Sequence, residues 1–453
     1  MKEGSFKIEG VTIVNEGECY QASVLVEDGK IAGITRSETL PSPRGRTGDE
    51  ASRSGAEGEA YLLPGIIDGH VHMRDPGLTH KATMESETRA AARGGVTTVL
   101  DMPNVVPQTT TLQLLKERYA MAEGKCHVNY GFYLGATNDN LEEIKRLDTS
   151  VCPGVKLFMG SSTGNMLVDR EEVLHRIFRD SPTLIMTHCE DTARINANMA
   201  EVKKQYGEDP DVCFHPVVRD QEACFQSTAI AVKLAKEEGS RLHVAHVTTA
   251  KELGLFQPNN DKITVEACLP HLLFTDKDYE TLGARIKCNP AIKTEADRAA
   301  LRRALTDGRI RTIATDHAPH LLSEKEGGAL KAMSGMPMVQ FSLPAVLSLV
   351  DEGVLSMERA VELMCHNPAR LYHIKERGFV REGYWADFTL VRRKPWTVTQ
   401  DCIESKCGWS PVEGRTFGWQ VEKTWVNGQL VWDGQQVNRQ VFGQPVRIEN
   451  CDQ

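Results

Sequence analysis

Long apolar runs are missing from this chain. No stretch approaches the roughly 18–20 consecutive apolar residues needed to cross a bilayer, which argues against a helical membrane protein. The opening segment, MKEGSFKIEG, lacks the charged-then-apolar layout of a signal peptide, so a cytoplasmic location is expected. A basic stripe is missing too. The 53 Lys and Arg are outnumbered by 62 Asp and Glu, for a net charge of −9, which argues against a broad nucleic-acid footprint. A small anionic substrate needs only one local cation and stays open. No CxxC pair occurs, and the 12 cysteines are scattered singly. Several lie inside apolar stretches, as Cys152, Cys189 and Cys268 do, which suits reduced, buried thiols. A hydrophobic fraction of 40% and a charged fraction of 25% leave no room for a disordered or fibrous reading.

What is present is a change of pattern along the chain. The first 35 residues read as short strands, FKIEGVTIVN and ASVLVEDGKIAGIT, with Asp28-Gly29 as a hairpin signal. Residues 41–58, rich in Gly, Ser, Pro and charge, read as a loop. From residue 62, eight apolar runs recur: LLPGIIDGHVH, VTTVLDMPN, VNYGFYLG, GVKLFMG, TLIMTHCE, RLHVAHVTT, KITVEACLPH and RTIATDHAPH. Helix candidates such as ATMESETRAAARGG and EEVLHRIFRD lie between them. A parallel strand covered on both faces reads as such a continuous run. Eight of them alternating with helices predict an α/β fold, a (β/α)8 TIM-type barrel. Strand character returns near the end, with turn signals at Asn427-Gly428 and Asp433-Gly434. The expected organisation is therefore a barrel over 63–375 beside a small β-sandwich domain built from both termini, 1–62 and 376–453.

The polar residues on those runs carry the chemistry. His70 and His72 end the first run, Lys156 lies in the fourth, His188 ends the fifth, His246 the sixth and Asp316 the eighth. In such a barrel the C-terminal strand ends converge on one face, where catalytic residues gather. Side chains alternate with period two, so a His-x-His pair faces one side and can chelate one ion. Alone the pair fits two hydrogen-bonded histidines at a strand mouth equally well. Four histidines and an aspartate at successive strand ends fit that poorly, and imidazole with carboxylate favours zinc or a similar divalent ion. Lys156 has two readings. It is a lysine snorkelling from the mouth or pairing with a phosphate, or a neutral amine that adds carbon dioxide to give an anionic carbamate able to bridge two metals.

GIIDGHVHMRDPG, VTTVLDMPN, GVKLFMG, THCE, VAHVTT and ATDHAPH resemble, in that order, the signature segments of dihydroorotases of the amidohydrolase superfamily. The likeness extends over roughly residues 8–440. HVHMRDPG with TDHAPH is the specific part. The resemblance implies two divalent ions, zinc first, one held by His70, His72 and Asp316 and one by His188 and His246. Lys156, N6-carboxylated, would bridge them. It implies hydrolysis of a cyclic amide by a metal-bridged hydroxide, with Asp316 as proton shuttle, and in reverse the condensation of carbamoyl aspartate to dihydroorotate in pyrimidine synthesis. Arg74, Asn104 and His320 would grip the substrate carboxylate, with Asn289 and backbone groups around Ala318 and Gly335 meeting the ring. A planar guanidinium suits that task, although Arg74 could instead pair with Asp75. His271 reads equally as structural. SSTGNM (161–166) reads as a closing loop or as plain surface. A homo-oligomer is typical of such a protein, and association with aspartate transcarbamoylase fits the resemblance. The alternatives are an allantoinase or a dihydropyrimidinase/hydantoinase, whose substrates lack the ring carboxylate, and a catalytically silent barrel serving as scaffold.

Overall fold

The computed structural model describes residues 5–37, 58–160 and 166–449. The segments read as loops at 41–57 and 161–165 lie outside the described residues. The chain opens with strands β1 (Phe6–Asn15), β2 (Glu18–Glu27), β3 (Lys30–Arg36) and β4 (Ala60–Pro64). Short, fully buried strands follow: β5 (Ile66–Val71), β6 (Val96–Asp101), β7 (Asn129–Phe132), β8 (Leu134–Gly135), β9 (Val155–Phe158), β10 (Ile185–His188), β11 (Leu242–Val244), β12 (Ile263–Cys268) and β13 (Thr312–Ala314). The chain returns to long strands in β14 (Phe388–Thr397), β15 (Thr416–Val426) and β16 (Gln429–Trp432).

Strands β5 to β13 are parallel and close into a (β/α)8 barrel. β7 and β8 are one strand interrupted at Tyr133, whose N–H still donates to the Asp101 carbonyl at 3.2 Å. The remaining seam, between β13 and β5, closes through a parallel bridge of Val71 with His317, where the His72 N–H donates to the His317 carbonyl at 2.7 Å. Each of the eight apolar runs supplies one barrel strand. Their uniform burial follows from the topology, since the outer face meets helices and the inner face meets the opposite strands. Helices Met84–Arg93 and Glu171–Asp180 fall where the sequence placed them. The first begins with Thr83 as N-cap, in a reciprocal capping box with Ser86.

The terminal strands form one seven-stranded sheet in the order β16-β15-β14-β4-β1-β2-β3. It curls over on itself. Phe6 on β1 stacks on Trp425 of β15 with centroids 6.4 Å apart, whereas three strand spacings across a flat sheet would separate those strands by about 14 Å. Two of the three turns predicted from sequence, Asp28-Gly29 and Asn427-Gly428, meet at the closure, where the Gly29 carbonyl accepts from Ala386 N–H at 2.9 Å and Gly428 N–H donates to the Ala386 carbonyl at 3.0 Å. Inside lies an apolar core containing Ile13, Val24, Leu62 and Phe388. The last described segment leaves this sheet and runs beside β7, Val446 N–H donating to the Tyr130 carbonyl at 2.9 Å. No helix of the described residues is long and apolar enough to cross a membrane.

Candidate active site

His70, His72, Lys156, His188, His246 and Asp316 all line one cavity of about 800 Å3 at the C-terminal mouth of the barrel, as do Arg74, Asn104, Asn289, Ala318 and His320. The strands deliver them. β5 carries His70 and, just past its end, His72. Lys156 sits inside β9, His188 ends β10, and His246 and Asp316 follow β11 and β13 by two residues. Getting there costs backbone strain. Arg74, His246 and Asp316 have φ of 65°, 36° and 48°, a left-handed region that non-glycine residues rarely adopt and that clusters at functional sites. Gly69, between Asp68 and His70, is required by space, since a Cβ there would lie 2.6 Å from the Tyr372 hydroxyl.

Two groups of donors emerge. His70 Nε2 and His72 Nε2 lie 3.3 and 3.2 Å from Asp316 Oδ1, and one ligand atom of each residue falls within 4.8 Å of the others. His188 Nδ1 and His246 Nε2 face each other at 2.9 Å, and the His70 and His246 rings, 5.4 Å apart, join the groups. Three histidines are fixed from behind. Glu266 Oε1 lies 2.5 Å from His70 Nδ1, Asn104 Oδ1 lies 2.8 Å from His72 Nδ1, and Glu190 Oε2 lies 2.8 Å from His188 Nε2. Such outer partners select the tautomer that leaves the inner nitrogen as a lone pair. Burial pushes His72 down to about 4 and lowers His188 and His246 as well, so these imidazoles are neutral and able to ligate. Burial alone would raise the Asp316 carboxyl, whereas a proton on the facing His70, His72 or His246 lowers it, and the net shift is downward.

Lys156 is 1% exposed, and its Nζ has no hydrogen-bond partner among the described residues. It therefore does not snorkel. Its Nζ lies over the face of Phe158, 5.0 Å from the ring centroid, and burial lowers its pKa. A lone buried ammonium among histidines costs several kcal/mol, whereas a neutral amine or a ligated carbamate does not. The donor set and this orphaned nitrogen fit a two-metal site. A second cluster, His70, Glu266 and Cys268, lies behind it. There Glu266 is occupied by His70, and burial pushes the Cys268 thiol up, next to that carboxylate, so it offers no open position.

The remaining residues surround this centre. Arg74 does not pair with Asp75. Its Nε donates to the Pro319 carbonyl at 3.0 Å, and Nη2 lies 3.0 Å from His320 Nε2. Ala318 N–H is taken by the Met336 carbonyl and Gly335 N–H by the Lys287 carbonyl, so of their backbone groups the Ala318 carbonyl is the one left for a ring atom. Gly335, at φ 131°, has no room for a side chain, as its Cβ would lie 2.6 Å from that carbonyl oxygen. His271 stands outside the cavity lining, with Nε2 3.0 Å from the Pro290 carbonyl, a structural placement. Sequence reasoning missed Glu266 and Glu190. The signal was there, an acid in the apolar run ITVEAC and another directly after THC, because an acid in a buried strand has to have a partner. It also missed Lys81, Arg219 and Lys287, which line the same cavity.

A model of the amidohydrolase family matches residues 61–431, and the chain belongs to that family. Among curated proteins it is similar to the dihydroorotase of Halobacterium salinarum, 34% identical over 84% of this chain and 89% of that one. The dihydroorotase of Pyrococcus abyssi is 32% identical over 96% and 97%, and an allantoinase of Bacillus velezensis is 29% identical over 96% of each. Among solved structures it is similar to an L-hydantoinase (dihydropyrimidinase) from Arthrobacter aurescens, with TM-score 0.87 and 27% identity over 97% of this chain and 99% of that one.

Proposed function

We propose that this chain is a dihydroorotase, a metal-dependent hydrolase that opens the cyclic amide of dihydroorotate to N-carbamoyl-aspartate and closes it in reverse. The observation that carries the reading is the pairing of Arg74 with His320 beside the histidine–aspartate cluster. A guanidinium in the cavity wall suits a ring carboxylate, which allantoin, hydantoins and dihydrouracil lack. The wall agrees. Arg74, Lys81, Arg219 and Lys287 line it against the carboxylate of Asp316, and of these Lys81 and Arg219 have carboxylate partners in Glu324 and Glu190.

His70, His72 and Asp316 would hold one divalent ion, zinc by its donor set, and His188 and His246 a second, with Lys156 as a carbamate between them. Bound there, such ions polarise a carbonyl and bring the acidity of water toward neutrality. The chain does the rest. Arg74, His320 and the Asn104 amide nitrogen, whose oxygen is occupied by His72, hold the substrate carboxylate and fix the ring. Asp316, ionised and strained into place, takes the proton of the attacking water and delivers it to the ring nitrogen as the amide bond breaks. Glu266 and Glu190 keep their imidazoles from turning.

The likeness to an L-hydantoinase and to an allantoinase supports a second reading, a carboxylate-free ring at the same site. Assays of dihydroorotate, dihydrouracil and allantoin side by side separate the two. Turnover of dihydroorotate alone, abolished by chelation and restored by zinc, is expected. Hydrolysis of allantoin or dihydrouracil without dihydroorotate would overturn the substrate, and a metal-free, inactive protein would point to the scaffold.

A further inference from the structure

We infer that Lys81 sets the tautomer of His320 and thereby turns the Arg74–His320 pair into a receptor for a carboxylate, an inference that rests on the dihydroorotase reading. Lys81 is buried, its Nζ 3.1 Å from His320 Nδ1 and 2.7 Å from Glu324 Oε1. Arg74 Nη2 approaches the other ring nitrogen, Nε2, at 3.0 Å. Lysine and arginine can only donate, whereas a neutral imidazole has one N–H and one lone pair. His320 is neutral, because burial and the nearby cations Arg74, Lys81 and Lys325 all disfavour the imidazolium. Between two donors, one of its contacts must set N–H against N–H.

The surroundings decide which one. A proton on Nδ1 would point at the ammonium, and the alternative acceptor there, Glu324 Oε2, is 3.6 Å away, too far for a hydrogen bond. That oxygen already accepts from Leu321 N–H at 2.9 Å. The lone pair therefore faces Lys81 and the proton sits on Nε2, beside the guanidinium. Nε2–H and Nη2 then converge as two donors, with the Ser334 backbone as a further acceptor near the ring. A carboxylate oxygen within reach of both accepts from both, and a ring without a carboxylate leaves the two donors opposed. The selectivity is thus built behind the site, through a positioning residue that need not touch the substrate. Glu324 anchors Lys81, and the Trp409 indole N–H fixes the His320 carbonyl at 2.8 Å.

The test uses the full-length protein, labelled with 15N-histidine and loaded with zinc, with His320 assigned by its missing signals in His320→Gln. Wild type should show the Nε2–H tautomer. Lys81→Met should move His320 toward Nδ1–H and raise KM for dihydroorotate about tenfold, with kcat within about threefold and metal content unchanged. Lys81→Arg, which keeps a donor, should keep the tautomer and most of the affinity. A wild-type Nδ1–H tautomer, or an unchanged tautomer in Lys81→Met, would overturn the inference, as would a loss confined to kcat. Failure of the wild type to turn over dihydroorotate would sink the substrate reading instead, since the tautomer is measured without substrate.

Discussion

Glu266 does not line the active-site cavity and sits in none of the motifs, yet it holds two parts of the site. Its Oε1 lies 2.5 Å from His70 Nδ1 and accepts from the His246 backbone N–H at 3.2 Å, so one buried carboxylate orients a residue of each donor group. Glu266→Gln keeps the shape and removes the charge, and metal affinity measured by competition with a chelator should fall about 10–100-fold. Unchanged affinity would show that strand geometry alone aims His70. Asp316 is the residue proposed to move the proton. Asp316→Asn should lower turnover about 10²–10⁴-fold, while binding of a carboxylate ligand by calorimetry survives, because Arg74 and His320 are untouched. Normal rates would give the proton to another group. At this scale the sequence was readable where residue type and strand position coincide, as for the four histidines. Where a role depends on what lies behind a ligand, the sequence marked at most a buried acid, as for Glu266 and Glu190, and never its partner, since no spacing rule links positions 70 and 266.

Helix Met84–Arg93 ties the barrel to its surroundings through Glu87. That carboxylate, fully buried, receives Ser405 Oγ at 2.6 Å, Ser86 Oγ at 2.7 Å and Lys406 N–H at 3.1 Å, and lies 2.7 Å from His317 Nε2. One side chain thus joins the helix, the turn after β13 that presents Asp316, and the 405–407 loop. Burial alone would raise the Glu87 carboxyl, but these donors, His317 foremost, hold it below its ordinary 4.5. An acid with a depressed folded value stabilises the protein in full above its unfolded value, and the contribution fades as pH falls through the folded one. Glu87→Gln should cost about 3 kcal/mol in urea unfolding at pH 7, and less below about pH 4, where the wild type has begun to lose the same contribution. An equal cost at both pH values would contradict the assignment of charge. The elements themselves were legible because buried parallel strands and capped amphipathic helices leave periodic marks. The interruption of the third strand at Tyr133 and the left-handed residues at strand ends leave none, being set by tertiary closure.

For the molecule as a whole, the interleaving of the termini matters most. β4 lies between β1 and β14, so neither end of the chain can complete the sheet alone. A chain ended after residue 386 would leave β4 with an unpaired edge and strip Trp425 from the core that Phe6 reaches. It should be recovered as aggregate rather than as a cooperatively melting barrel, and a soluble, metal-binding truncation would contradict that dependence. Both halves of this sheet were legible as strands, with their turns at Asp28-Gly29 and Asn427-Gly428. The docking of one turn on the other, and the run of the final segment beside β7, were not, because contacts between distant polar turns carry no hydrophobic signature. The proposed chemistry depends most on two cations meeting the six residues that the barrel gathers. Anomalous scattering from crystals grown with zinc tests this most directly. Two peaks are expected, one against His70, His72 and Asp316 and one against His188 and His246, with a carboxylated Lys156 touching both. A cavity without a peak, or metal bound elsewhere on the chain, would contradict it.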